Sequence, residues 1–198
     1  ADILSYRVDY GNQFLCCDTE SGEPVSNLLD RLGDEYGLQP RSSGGPLYST
    51  HPHIAGQWRL AENFRRFRAA GFDPWPTIID SAHQKNLRVF FALHANASEH
   101  EPFFRDGNSL RASRFLLEHP EFMVGETGQD TNARFCSQLD FAHDEVRANR
   151  LAVIDELCHR YEIDGIELDF TVGPPFFKPG KAAESSALLN EFMAGAKE

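Results

Sequence analysis

The chain has 198 residues and a formal net charge of −11, with 30 acidic against 19 basic side chains. That balance argues against nucleic acid, since phosphate recognition needs a basic face. No apolar run approaches the length that crosses a membrane, and the four cysteines lack zinc or redox spacing, so neither cofactor nor metal is expected.

In chain order, Ile3 to Tyr10 reads as a strand with Arg7 and Asp9 on one face, ended by Gly11-Asn12. Residues 12–58 are rich in Gly, Ser, Pro and Asp, with one short apolar segment at Leu28, Leu29 and Leu32; the pattern predicts a long loop excursion holding one helix. Leu60 to Ala70 reads as a helix stopped by Gly71, with Phe64 and Phe67 inward. Asp73-Pro74-Trp75-Pro76 opens a second helix, whose stripe is Ile78, Ile79 and Ala82. Leu87 to Leu93 is an apolar, β-prone run. Just beyond it stand His94, Asn96, Glu99 and His100, polar groups of the kind that loops present to ligands. The plain alternative for the histidines is a satisfied surface role.

Ser113 to His119 suggests a short helix before Pro120, and Gly125 to Arg134 a loop. From Asp144, read as an N-cap, to Tyr161, the residues Val146, Leu151, Ile154, Leu157 and Cys158 recur at helical steps, which makes Cys158 a core residue. Ser185 to Ala194 looks like a last helix.

Tyr161 to Phe170, Tyr-Glu-Ile-Asp-Gly-Ile-Glu-Leu-Asp-Phe, is the most informative stretch. As a strand it sets Ile166, Leu168 and Phe170 on one face and Glu167 and Asp169 on the other, roughly 7 Å apart. Acids in an apolar strand need a partner or a task. The bland reading is that they cap the following turn or pair with an arginine.

Alternation of strands and helices predicts an α/β fold with parallel pairing, and ligands then sit at the carboxyl ends of the strands. Three to four strands are too few for a closed eight-stranded barrel, so one domain, a partial or half barrel, is expected. The absence of an initiating Met and the ends at a strand and a helix fit a cut piece. Its open sheet edges would favour self-association.

Asp164-Gly165-Ile166-Glu167-Leu168-Asp169-Phe170-Thr171 resembles the strand-four signature of family 18 chitinases, DGxDxDxE, within the wider set of glycoside-hydrolase-like (β/α)8 barrel proteins. The resemblance implies a TIM-type barrel, a carbohydrate ligand at the strand ends and an extracytoplasmic location. Glu167 stands where the family has Asp, and Thr171 where it has the proton-donating Glu.

The expected function is acid/base-assisted hydrolysis of a poly- or oligosaccharide. Asp169 or Glu167 would transfer the proton, its pKa raised by the other carboxylate. Arg7, Asp9, His94, Asn96, His100 and Asp164 would bind substrate, with Trp58, Trp75, Phe103, Phe176 and Phe177 as candidate stacking surfaces. The rivals are a non-catalytic carbohydrate-binding barrel, which Thr171 favours, and a metal-dependent hydrolase using His94, His100, Glu167 and Asp169. Asn96-Ala97-Ser98 also matches a glycosylation acceptor.

Overall fold

The computed structural model describes residues 2–10, 14–30, 52–96, 113–125, 138–171, 175–178 and 180–197. Its centre is a three-stranded parallel sheet in the order β1 (Ile3–Arg7), β5 (Arg88–His94), β6 (Gly165–Asp169). The pairing sets Tyr6 against Phe91 and Phe91 against Ile166, so the strands expected to run parallel do so. Among the described residues the sheet is open, and the signature-like segment lies on the third of its strands.

The strand expected over Ile3 to Tyr10 breaks at Val8. There the N–H donates to the Ala92 carbonyl while the C=O accepts from Cys16, which turns the chain out of the large sheet. It continues as β2 (Asp9–Tyr10), antiparallel to β3 (Phe14–Leu15), with β4 (Glu23–Pro24) completing a second small sheet. A 3-10 turn at Val25–Asn27 and the short α1 (Leu28–Asp30) follow, burying Leu28 and Leu29. Leu32 lies outside the described residues.

The helices match expectation in kind and differ at their ends. α2 spans Pro52–Ala69 and starts a little over two turns before Leu60, because Pro52 suits a first helical turn even without an apolar stripe behind it. Gly71, at φ +63°, closes it in the left-handed conformation that glycine adopts without strain. α3 (Pro74–His83) is capped as expected by Asp73, whose carboxylate accepts from the Trp75 N–H. α4 (Arg114–Glu118) is capped by Ser113. α5 (Asp144–Arg160) takes His143 as its N-cap, leaving Asp144 inside the first turn and paired with Arg147. α6 spans Ala182–Gly195.

The α5 face also needs correcting. Val146, Arg150, Val153, Ile154 and Leu157 are buried, whereas Cys158 is exposed. The stripe is centred on the 146–150–153–157 row, so a residue one step past Leu157 rotates out to solvent. Among the described cysteines Cys16 and Cys17 are buried, and burial pushes both thiols up to about 12.

Alternate side chains of β5 go into an aromatic core. Phe91 is fully buried, with ring centroids 5.0 Å from Trp75 of α3 and 5.4 Å from Tyr161 at the end of α5. Trp75 is therefore core, not the sugar-stacking surface that its sequence position suggested; Phe177 is buried too, and Phe103 lies outside the described residues. On the opposite face of the sheet Phe90 lies over Gly165, where a Cβ would come within 3.0 Å of the ring.

Because Phe91 joins two helices to the central strand, Phe91→Ala is expected to cost about 3–5 kcal/mol of stability. Urea unfolding followed by tryptophan fluorescence measures it; a loss below about 1 kcal/mol would contradict this account of the core.

Candidate functional site

All three strands of the large sheet point the same way, so Arg7, His94 and Asp169 reach one edge together. Arg7 Nη2 donates to Asp169 Oδ2 at 2.8 Å, and Nη1 contacts His94 Nε2. The turn out of β1 then brings Asp9 back over the end of β5. Its Oδ2 accepts from the His94 backbone N–H at 2.9 Å and from the ring Nδ1 at 3.0 Å. One hydrogen-bonded chain therefore runs Asp9, His94, Arg7, Asp169.

The chain grades from dry to wet. The side chains of Asp9 and His94 are 2% and 13% exposed, those of Asp169 and Arg7 16% and 45%. Beneath it lies Arg150 of α5, fully buried, donating from Nη2 to the His94 carbonyl at 2.7 Å. Burial draws the Arg150 pKa down and the nearby Asp9 carboxylate opposes this. Asp9 Oδ1 is buried without a hydrogen-bond partner among the described residues.

Asp169 does what the bland reading of a strand-end carboxylate proposes, and does both parts of it. Its Oδ1 accepts from the Thr171 hydroxyl at 2.5 Å and the Thr171 N–H at 2.8 Å, capping the turn, while Oδ2 takes Arg7. The Thr171 bonds, and then Arg7, hold its carboxyl down at about 2. A pKa raised by its neighbour was expected; at Asp169 the shift runs the other way, because three groups that favour an anion, the Thr171 hydroxyl, the Thr171 N–H and the Arg7 guanidinium, outweigh one like charge roughly 7 Å off. Glu167 sits on the same face, one pleat closer to the strand start, and accepts from the Ser5 hydroxyl at 2.6 Å.

Two residues expected at the substrate sit elsewhere. Asp164 precedes β6, at the opposite end of the strand from Asp169, where it accepts from the Val89 N–H at 2.7 Å and from His83 at 2.9 Å. Those bonds hold its carboxyl below the usual range. Asn96 is 1% exposed, and its amide bonds the Leu139 carbonyl at 2.8 Å and N–H at 3.1 Å, so it ties the 138–141 segment to the end of β5. A buried donor amide is no glycosylation acceptor. Glu99 and His100 lie outside the described residues.

Sequence reasoning missed Ser5, Thr171 as a turn cap, and Arg150. The signal for Arg150 was a charged residue standing on the apolar row of a helix. No group of three or more metal-ligating side chains occurs among the described residues, and no helix there is long and apolar enough to cross a membrane. A cavity of about 290 Å³, lined by Phe64, Phe67, Phe72, Arg68 and Arg160 among others, lies away from the strand ends.

Helices packed on a parallel sheet, with charged side chains gathered where its strands end, define a mixed α/β protein of the kind that places ligands at that edge. The chain matches the family model described as Glycosyl hydrolase-like 10 over residues 39–191, well over half its length, and belongs to that family. The matched span holds His94, Glu167 and Asp169 and leaves out Arg7 and Asp9. The matched span includes Asp164 to Thr171, but the family matched is not that of the chitinases whose signature this segment resembles. No curated protein matches the chain.

Asp169 also leaves a mark on stability. A depressed folded pKa adds stability above the unfolded value, near 4, and loses it as pH falls through about 2. Between pH 5 and pH 2 the urea midpoint should therefore fall further in the wild type than in Asp169→Asn. Equal falls in both would show that Asp169 is not held as an anion.

Proposed function

We propose that the chain carries the strand-end site of a glycoside hydrolase that cleaves a poly- or oligosaccharide with acid/base assistance. The observation that carries this reading is a carboxylate, Asp169, kept anionic by Arg7 and Thr171 at the carboxyl edge of the parallel sheet, in a chain of the Glycosyl hydrolase-like 10 family. Glycosidic cleavage passes through an oxocarbenium-like state, and a fixed negative charge beside it lowers the barrier. An anion so held cannot be the proton donor, so Asp169 takes the electrostatic role. Glu167, on the same face with Ser5 as its partner, takes the proton transfer.

The residues around the pair then sort by exposure. Arg7 is the exposed cation of the site and the one best placed to meet substrate hydroxyls, while Asp9, His94 and Asn96 support it from below. The net charge of −11 disfavours polyanionic glycans and points to neutral ones. The described strands serve as consecutive members of a larger barrel, extended beyond β1 and β6.

Release of reducing ends from a panel of neutral oligo- and polysaccharides tests the reading. Glu167→Gln should lower kcat by about 100-fold or more, the usual scale of acid/base catalysis, and Asp169→Asn by at least as much. Full turnover in either variant removes that residue from the mechanism. Saturable glycan binding without turnover in the wild type would move the protein to the binding class.

A further inference from the structure

The least accessible part of the strand-end network is the part that the proposed reaction does not use. Asp9 and Arg150 are both buried, too deep to meet a polysaccharide, yet both close on the same residue, His94, from different elements. Asp9 on β2 takes its backbone N–H and Nδ1; Arg150 on α5 takes its carbonyl. Arg7 on β1 meets its Nε2, and Asp169 on β6 receives Arg7.

Donor and acceptor chemistry decides the state of the ring. A carboxylate accepts and does not donate, so the bond to Asp9 requires a proton on Nδ1. In the neutral imidazole Nε2 is then a bare lone pair, the only form that can accept from a guanidinium, which has donors alone. Arg7 Nη1 also lies 3.3 Å from Nδ1. That approach is no second hydrogen bond, since Nδ1 has no lone pair left once it donates to Asp9. The opposite tautomer would turn an N–H toward Arg7 and push the guanidinium off.

We propose that Asp9, with Arg150 bracing the same strand end, is a positioning residue: it fixes His94 as the Nδ1–H tautomer, and the free Nε2 in turn fixes Arg7 on Asp169. A merely structural Asp9 could satisfy the His94 backbone N–H and leave the ring alone. Here it engages both, and leaves its own Oδ1 buried without a partner among the described residues, an arrangement whose desolvation penalty a simple strand cap has no need to incur. The kinetic arm below rests on the glycosidase reading; the spectroscopic arms do not.

Long-range proton–nitrogen correlation spectra of the uniformly ¹⁵N-labelled full chain at pH 8 read the His94 tautomer directly. The Nδ1–H form is expected, and the Nε2–H form overturns the proposal without any variant. In Asp9→Asn the neutral amide no longer demands the Nδ1 proton, so the ring should shift toward Nε2–H. Arg7 then loosens, and the Asp169 carboxyl, followed by ¹³C titration, moves up from about 2. An unchanged tautomer or an unmoved Asp169 titration in a folded Asp9→Asn protein overturns the proposal. Should that variant fail to fold, His94→Phe, which keeps an aromatic ring and removes both nitrogens, must raise the Asp169 titration in its place. On any glycan the wild type cleaves, Asp9→Asn should lower kcat about 100-fold, beyond any rise in KM from the loosened Arg7. Loss through KM alone overturns the positioning role. Absence of turnover in the wild type sinks the glycosidase reading and leaves the tautomer result standing.

Discussion

The structure depends on β5 being paired on both edges while its side chains divide between two environments. With β1 on one side and β6 on the other, every backbone group in its middle has a ladder partner, so the strand can be taken fully out of water without the penalty of an unmet amide. Val89, Phe91 and Leu93 then project into the core. Phe91 lies between Trp75 and Tyr161 and so fixes where α3 and the end of α5 rest on the sheet. The opposite face keeps Ser5, Arg7, Glu167 and Asp169, which bond across strands in pairs.

Parallel pairing has a chemical consequence at the strand ends. In an antiparallel arrangement Arg7, His94 and Asp169 would fall at alternating edges; with all three strands co-directional they arrive together. The break at Val8 adds a fourth group, because the chain leaves the large sheet there and folds Asp9 back over His94. Groups this close survive partial burial because donors and acceptors alternate along carboxylate, imidazole, guanidinium and carboxylate, with Arg150 below. Opposed charges and hydrogen bonds offset the loss of hydration that each would suffer alone.

The same alternation gives the two carboxylates of β6 different partners. They differ by two residues and share a face, yet their surroundings diverge. Asp169 meets a guanidinium, a hydroxyl and a backbone N–H, all of which stabilise the anion. Glu167, one pleat deeper, meets the Ser5 hydroxyl. Two acids in unlike environments are what acid/base chemistry on a glycosidic bond requires. The match to Glycosyl hydrolase-like 10 over residues 39–191 agrees with that reading at the level of family, and the substrate remains to be drawn from the chemistry of the site.

Local pattern alone determined the helix and strand types. The cap at Asp73, the stop at Gly71, the β-prone run before His94 and the alternation from Gly165 to Asp169 are properties of neighbouring residues, and short-range physics sets them. The same pattern placed Glu167 and Asp169 on one face and singled out Arg7, Asp9 and His94. What it could not decide was which of these meet. Asp164 and Asp169 belong to one motif yet lie at opposite ends of a strand, and Asn96 follows a strand like any ligand residue yet bonds the Leu139 backbone. Arg150 looked like an interruption in an apolar row until the fold brought His94 over it. Partners 56, 85 and 162 residues apart in the chain are joined by strand register and helix docking. Those depend on the whole core packing at once, so only the tertiary structure decided that Arg7 and Thr171 meet Asp169 and that Asp9 and Arg150 close on His94 from different elements.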